Sequence, residues 1–176
     1  MKTNWNIDNM HSEIGFKVKH MMITNINGSF GQFSATAETE GDDFSTASFN
    51  FSAAINSINT GVTDRDNHLK SDDFFNAEAF PELIFKSTAI TKKDDGNYVI
   101  SGDLTIRDVT KHIDLAADFG GIVVDPYGQI KAGLTINGKI NRSDFGLKWN
   151  ALTEAGSIVV SDEIKLAAEV QLIKQA

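Results

Sequence analysis

The chain has 176 residues, no cysteine and a formal net charge of −8, from 24 acidic and 16 basic residues. This length suits a single domain over residues 1–176, which can bury about two-thirds of its unfolded surface without a disulfide or metal staple. The lack of cysteine excludes disulfide frameworks, thiol nucleophiles and zinc–thiolate sites, and an acidic balance without a basic stripe argues against a nucleic-acid partner.

Two features bear on location. No stretch approaches the roughly 20 consecutive apolar residues of a membrane-spanning helix, so we expect no transmembrane segment. Residues 1–12 (MKTNWNIDNMHS) contain no apolar run of the signal-peptide type. We therefore expect a cytoplasmic protein as the sequence stands, and a periplasmic one if the sequence is that of a mature form.

Apolar and polar side chains alternate along most of the chain, which is typical of half-buried strands. The first predicted strand, SEIGFKVKHMM, places Ile14, Phe16 and Val18 on one face and ends that row on His20. The second, GSFGQFSATAETE, is interrupted at its GQ dipeptide, as a β-bulge would do. The third, ASFNFSAAINS, is the most regular and carries Phe49, Phe51 and Ile55 on one face.

Residues 60–82 (TGVTDRDNHLKSDDFFNAEAFPE) break this alternation. They predict a long connection between the third and fourth strands, with one or two short helical turns that begin at Ser71 or Asp72 as an N-cap. The remaining strands are ELIFKSTAI, GNYVISGDLTIRD, KHIDLAADFGG, GQIKAGLTINGKIN and DEIKLAAEVQLIK, which brings the predicted total to eight.

Eight long antiparallel strands with one apolar face predict an all-β fold, and both a two-sheet sandwich and a closed barrel satisfy the pattern. Strand length favours the barrel, because closure removes exposed edges. The inward rows mix phenylalanines with alanines. An eight-stranded barrel of this kind is either filled by its own side chains or holds one small ligand, and the alternation alone leaves both open.

Four blocks, in order, resemble the YceI-like family of polyisoprenoid-binding proteins: WNIDNMHSEIGFKVKHMMITNINGSFGQF, TGVTDRDNHLKSDDFFNAEAFPELIFKST, SGDLTIRDVTKHIDL and INRSDFGLKWN. The resemblance implies an extended, lipocalin-like, eight-stranded antiparallel β-barrel. It implies non-catalytic binding, transport or storage of a long-chain amphiphile, such as a polyisoprenoid, a prenyl quinone precursor or a fatty-acid derivative. Members of this family are often exported to the periplasm.

We expect the apolar lining of such a barrel to set the length and shape of the bound chain, because each buried methylene contributes about 0.8 kcal/mol. The candidate lining residues come from five predicted strands. They are Phe16, Val18, Phe49, Phe51, Ile55, Phe119, Leu134, Ile136, Leu166 and Val170. No cofactor is expected other than the bound lipid itself.

Five further residues are candidates for the rim of the barrel. His20, His68 and Arg142 are candidates to contact a polar head group, and Phe74 and Phe75 to gate access as an apolar plug. Each of the three polar candidates has a structural alternative. In these alternatives a backbone carbonyl satisfies His20, and His68 belongs to a solvated acidic loop. Arg142 pairs with Asp144 across a turn while Phe145 and Trp149 pack inward.

Two other functions stay open from the sequence. One is an enzyme that acts on a similar apolar substrate with His20 or His68 as the acid–base residue. The other is an interaction module whose core is full. The four histidines come from scattered segments, so no metal site is expected. The partner is expected to be a long-chain lipid, with transient membrane contact for lipid exchange, and the protein to be a monomer or homodimer.

Overall fold

The computed structural model describes residues 1–148 and 160–176, and this part of the chain is mostly β-structure with one α-helix. The elements are β1 (Lys2–Ile7), β2 (Glu13–His20), β3 (Thr24–Phe30), β4 (Phe33–Glu40), β5 (Asp43–Ala54), β6 (Ile58–Asn59), α1 (Thr63–Lys70), β7 (Glu82–Asp94), β8 (Asn97–Ile106), β9 (Val109–Val124), β10 (Ile130–Asn141) and β11 (Val160–Lys174).

Eight strands form a closed antiparallel barrel, as predicted. The ring runs β1–β4–β5–β7–β8–β9–β10–β11, and β11 pairs back onto β1. The three other strands extend it at one end, in the order β11–β2–β3–β6. Closure satisfies the backbone groups that long open strands would otherwise expose at their edges.

The second predicted strand is divided in two, as β3 and β4, and an unpredicted strand, β1, precedes the first, which is β2. β2 pairs with β3 and β1 pairs with β4, so residues 2–40 form one long bent hairpin. A 3-10 turn (Asn9–His11) bends its first arm, and the bend at Gly31 and Gln32 separates β3 from β4 where a bulge was predicted. The sequence pattern did not indicate β1, whose KTNWNI carries few inward apolar residues.

The predicted start of the helix needs correction. Its place between the third and fourth strands is not confirmed, since α1 follows β6. It begins at Thr63 and ends before Ser71, so Ser71 is the residue after the helix rather than its N-cap. Val62 precedes the helix without a side-chain cap, and Asp64 and Asp66 in the first turn complement the helix dipole instead.

Aromatic side chains close the barrel end at which β1 pairs with β11, here called the closed end. Trp5 and Phe44 are almost fully buried, with ring centroids 5.1 Å apart, and the Trp5 indole donates a 2.9 Å hydrogen bond to Thr39. Leu172 and Ala132 pack into the same cluster. This end of the interior is therefore filled, whereas the region above it is hollow.

Candidate functional site

The hollow part of the barrel is an apolar cavity of about 400 Å³, to which every strand of the ring contributes side chains. This volume falls within the range of small-molecule sites. Of the predicted lining, the cavity brings together Phe16, Val18, Phe49, Phe51, Leu134, Ile136, Leu166 and Val170. Several of these inward side chains are only half-buried because they border open space.

Small inward residues explain why the middle of the barrel is not filled. Ala35 and Ala168 line the cavity on β4 and β11. On β10, Gly138 lies in the inward row between Ile136 and Ile140, and a Cβ atom there would lie 2.5 Å from Leu115 Cδ2. Leu115 thus occupies the space beside Gly138, whereas Ala35 and Ala168 border the open part of the barrel.

Two predicted lining residues lie elsewhere. Ile55 is buried in a second cluster with Phe30 and Ile58, beneath the connection that carries α1. Phe119 lies towards the closed end, where its ring stacks on Phe44 with centroids 4.8 Å apart and meets Tyr98 edge-on. Alternation assigns both side chains to the inner face, but it does not say at which height of the barrel a residue lies.

The other end of the cavity, here called the polar end, carries His20, Arg65, His68 and Arg142. His20 is the last residue of β2, is half-buried and faces the cavity. Its imidazole has no hydrogen-bond partner within residues 1–148 and 160–176. The apolar row of β2 therefore ends on an available donor and acceptor where the tube meets polar groups.

Arg142 is a structural residue of the polar end. It is 5% exposed, and its guanidinium donates to the carbonyl oxygens of Ser161, Leu147 and Val160 at 3.0, 2.7 and 3.2 Å. Burial lowers the pKa of the guanidinium, while Asp162 opposes that shift. The predicted pairing with Asp144 is not among these bonds. Phe145 is buried as predicted, and Trp149 lies outside the described residues.

Arg65 was missed by the sequence analysis. Its Nε donates to Thr60 Oγ1 at 2.7 Å and its Nη2 to the Thr60 carbonyl oxygen, while the Asp66 carboxylate accepts from the Thr60 amide at 2.9 Å. These contacts hold the guanidinium against the cavity. A correctly placed helix would have indicated Arg65 as a candidate, because Arg65 and His68 are three residues apart on one helical face.

His68, Phe74 and Phe75 line the polar end together. His68 Nε2 lies 2.8 Å from Asp73 Oδ2, and its ring meets Phe74 edge-on at 5.1 Å. Arg107 anchors this segment by donating from Nη1 to the carbonyl oxygen of Phe74 at 3.1 Å. Phe75 packs edge-on against Phe30. The two phenylalanines line the cavity from the connection between α1 and β7, and their role as a gate stays a prediction.

Residues 1–148 and 160–176 contain no group of three or more histidine or acidic side chains placed to hold a metal ion. None of their helices combines the length and apolar character that crossing a bilayer requires.

Comparison with known proteins agrees with this architecture. The model of the YceI-like domain matches residues 5–172. The chain belongs to the YceI-like family. The UPF0312 protein SA2479 of Staphylococcus aureus is 35% identical over 170 residues, which are 96% of each chain.

Solved structures give the same fold. The Campylobacter jejuni YCEI protein is 34% identical, with a TM-score of 0.77 over 90% of each chain. A polyisoprenoid binding domain from Saccharophagus degradans is 14% identical, with a TM-score of 0.71 over 97% of this chain and 98% of that one. The second likeness bears on the fold alone.

Proposed function

We propose that this YceI-like protein binds a long-chain amphiphile in its barrel, without catalysis, as a carrier or store. The observation that carries the proposal is the tube-shaped apolar cavity between a filled closed end and a polar end. The ligand we propose is a polyisoprenoid, a prenyl quinone precursor or a fatty-acid derivative, and the name of the Saccharophagus degradans neighbour, a polyisoprenoid binding domain, agrees with the first of these.

The shape of the cavity favours an elongated ligand. On β11 the lining extends from Ile164 to Leu172, which at about 3.3 Å per residue and a strand tilt of about 40° corresponds to roughly 20 Å along the barrel axis. At about 0.8 kcal/mol per methylene, burial of a dozen carbons contributes roughly 10 kcal/mol, against about 1 kcal/mol for one net hydrogen bond. Hydrocarbon burial therefore provides most of the affinity.

The polar residues orient the ligand rather than hold it. His20 and Arg65 face the cavity at the end away from Trp5 and Phe44. A polar head placed there avoids the cost of burying an unpaired polar group among the rings of the closed end. The tail then points towards the closed end.

One observation favours a second candidate, an enzyme acting on a similar apolar substrate. The His68–Asp73 pair at the polar end has the geometry of an acid–base residue and its orienting carboxylate. Under this alternative, His68→Gln or His20→Gln abolishes turnover of a bound lipid and leaves lipid affinity largely intact. Under our proposal, incubation of the loaded protein leaves the lipid chemically unchanged in the native chain and in both variants.

The deciding experiment is organic extraction of the purified, denatured protein followed by mass spectrometry, together with titration of the emptied protein with a fluorescent fatty acid. We expect a stoichiometric lipid and a saturable site. Ala168→Phe, which places a ring in the tube, should lower the affinity for the fluorescent fatty acid at least tenfold. Ala116→Phe makes the same change on the exposed face of β9 and should leave binding unchanged. No extracted lipid and no saturable site would indicate a filled core and refute the proposal.

A further inference from the structure

An exposed apolar turn lies directly beside the polar end of the cavity. It consists of Met21, Met22 and Ile23, which are 38%, 54% and 73% exposed, and it connects β2 to β3 immediately after His20. Adjacent exposed apolar side chains at one tip differ from the scattered ones that any protein surface carries. They are placed where a ligand would pass between the cavity and its surroundings.

The backbone of this turn makes methionine an unfavourable choice. Met21 and Met22 have φ angles of +50° and +59°, and the Ile23 amide donates to the His20 carbonyl oxygen at 3.2 Å. Three residues connect the paired residues His20 and Thr24, and positive φ angles are adopted readily by Gly and Asn but seldom by other side chains. Left-handed strain of this kind accumulates at functional sites. The backbone of the turn therefore does not account for the two methionines.

A row of three lysines lies on the outer wall next to the apolar turn. Lys17 of β2 pairs directly with Lys165 of β11, which pairs in turn with Lys139 of β10. All three side chains are exposed, and none forms an ion pair within the described part of the chain. Like charges directly opposite one another destabilise a sheet. Such a row on a protein of net charge −8 indicates an anionic counterpart.

Acidic residues flank the row: Glu13 of β2 pairs with Glu169 of β11 on the side away from the polar end. Glu163 is exposed on β11 between Lys165 and the polar end, and the Asp162 carboxylate accepts hydrogen bonds from Ser143. Lys19 adds a fourth positive charge on β2, two residues from the apolar turn.

We propose that this end of the barrel docks on an anionic lipid bilayer, with the apolar turn inserted among the head groups and the lysine row facing their phosphates. The step from Lys17 to Met21 is four residues, about 13 Å of strand. An apolar tip buried about 5 Å in the head-group layer brings Lys17 to about 8 Å from that layer, within a Debye length at 0.1 M salt. Docking in this way opens the polar end of the cavity towards the membrane.

A second exposed apolar patch, at Val123, Val124 and Tyr127, does not share these features. It lies at the closed end, away from the polar end of the cavity. The nearest charges are Asp125 and Lys131, which pair with each other at 3.2 Å. Without unpaired positive charge, this patch does not match an anionic surface, and it provides a control for the apolar turn.

The test is sedimentation of the full chain with vesicles of phosphatidylcholine alone and of phosphatidylcholine with phosphatidylglycerol, at low and high salt. We expect binding that requires phosphatidylglycerol and weakens with salt. Met21→Asn/Met22→Gly should weaken vesicle binding about tenfold or more, because the exposed apolar side chains are lost. It should also raise the midpoint of thermal unfolding, because Asn and Gly adopt a positive φ with less strain than Met. The gain in stability separates lost docking from lost folding.

The lysine row is tested by Lys17→Gln/Lys139→Gln/Lys165→Gln, which should weaken vesicle binding up to about fivefold per lysine and flatten its salt dependence. The matched control, Lys86→Gln/Lys92→Gln/Lys93→Gln, makes the same change in net charge on β7, across the barrel. Val123→Gln/Val124→Gln is the control for the apolar turn. Both controls should bind vesicles like the native chain.

Three results would overturn the proposal. They are vesicle binding that is indifferent to phosphatidylglycerol, equal losses in the test and control variants, and binding of another protein through the apolar turn with no binding to any vesicle. The proposed docking rests on the proposed lipid-binding function, because that function is the reason for the barrel to meet a membrane. Titration with a fluorescent fatty acid below vesicle-forming concentrations separates the two, since neither test variant changes the cavity lining and both should bind this probe normally.

Discussion

At the scale of single residues, the inward row of β2 shows how a strand can mark the two parts of an amphiphile site. Ile14, Phe16 and Val18 face the apolar tube, and His20 ends the row at the polar end. The same alternation that buries three apolar side chains brings the imidazole to the height of Arg65. A ligand that matches this wall has a long apolar part and one hydrogen-bonding head.

We predict that His20→Ala weakens the binding of a headed lipid, such as a fatty acid or a prenyl alcohol, about five- to tenfold, the equivalent of one net hydrogen bond. Binding of a bare hydrocarbon of the same length should not change. Competition against a fluorescent probe measures both. His112→Ala, on the outer wall beside Asp103, is the control, and equal losses for the two ligands would show that His20 does not contact the head.

At the scale of elements, the end of β10 is joined to the start of β11 by one buried side chain. The guanidinium of Arg142 donates to carbonyl oxygens at Leu147, Val160 and Ser161, which lie on both sides of that connection. Gly146 follows in the left-handed conformation, with φ of +79°, and ends the short 3-10 turn (Arg142–Phe145). Because charge-assisted bonds are the stronger class, this residue organises the polar end.

We predict that Arg142→Gln lowers the free energy of unfolding by about 2–4 kcal/mol, since buried carbonyls lose charged donors. Urea denaturation gives the value. Arg107→Gln should lower the free energy of unfolding by less, because the partners of Arg107 on the α1–β7 connection are more exposed. If Arg142→Gln left stability unchanged and selectively reduced the affinity for a phosphate-headed lipid, the residue would be a head-group anchor instead.

At the scale of the whole molecule, an ion triad joins distant parts of the chain near the closed end. Lys131 Nζ lies 2.8 Å from Asp8 Oδ2 and 3.2 Å from Asp125 Oδ2, and the side chains of Asp8 and Lys131 are each 11% exposed. The Lys131 hydrogen bond is the main cause that lowers the pKa of Asp8 to about 2, and it raises the pKa of Lys131. Asp8 also caps the turn that separates β1 from β2.

This pKa shift predicts a pH dependence of stability. Asp8 is more acidic in the folded chain than its ordinary value of 3.8, so its contribution is complete above about pH 5 and is lost as the pH falls from about 4 towards 2. The free energy of unfolding of the native chain, measured with urea, should fall as the pH decreases across that window. Asp8→Asn should lower the free energy of unfolding by about 1–2 kcal/mol at neutral pH and make its dependence on pH flatter. If the pH dependence of the variant ran parallel to that of the native chain, other carboxylates would be the cause of the acid sensitivity.

Much of the fold and site followed from local pattern. Alternation placed Phe16, Leu134 and Leu166 on the inner face, because successive side chains of any strand point to opposite sides. The interruption at Gly31 and Gln32 was also visible, since it shifts the phase of that alternation. These features depend on neighbours in sequence, so a single chain is enough to read them.

Alternation was therefore enough to establish the all-β class and the face on which most side chains lie. The predicted count of eight strands includes β2, which lies outside the ring, and lacks β1, which belongs to it. The height of each residue in the barrel depends on tertiary contacts, which put Ile55 beneath the α1 connection and Phe119 at the closed end. Only the tertiary structure decided the pairing of β1 with β11 and the position of Arg65. The physical reason is that a period of two distinguishes inside from outside, whereas register, closure and cavity depth arise from contacts between residues far apart in the chain.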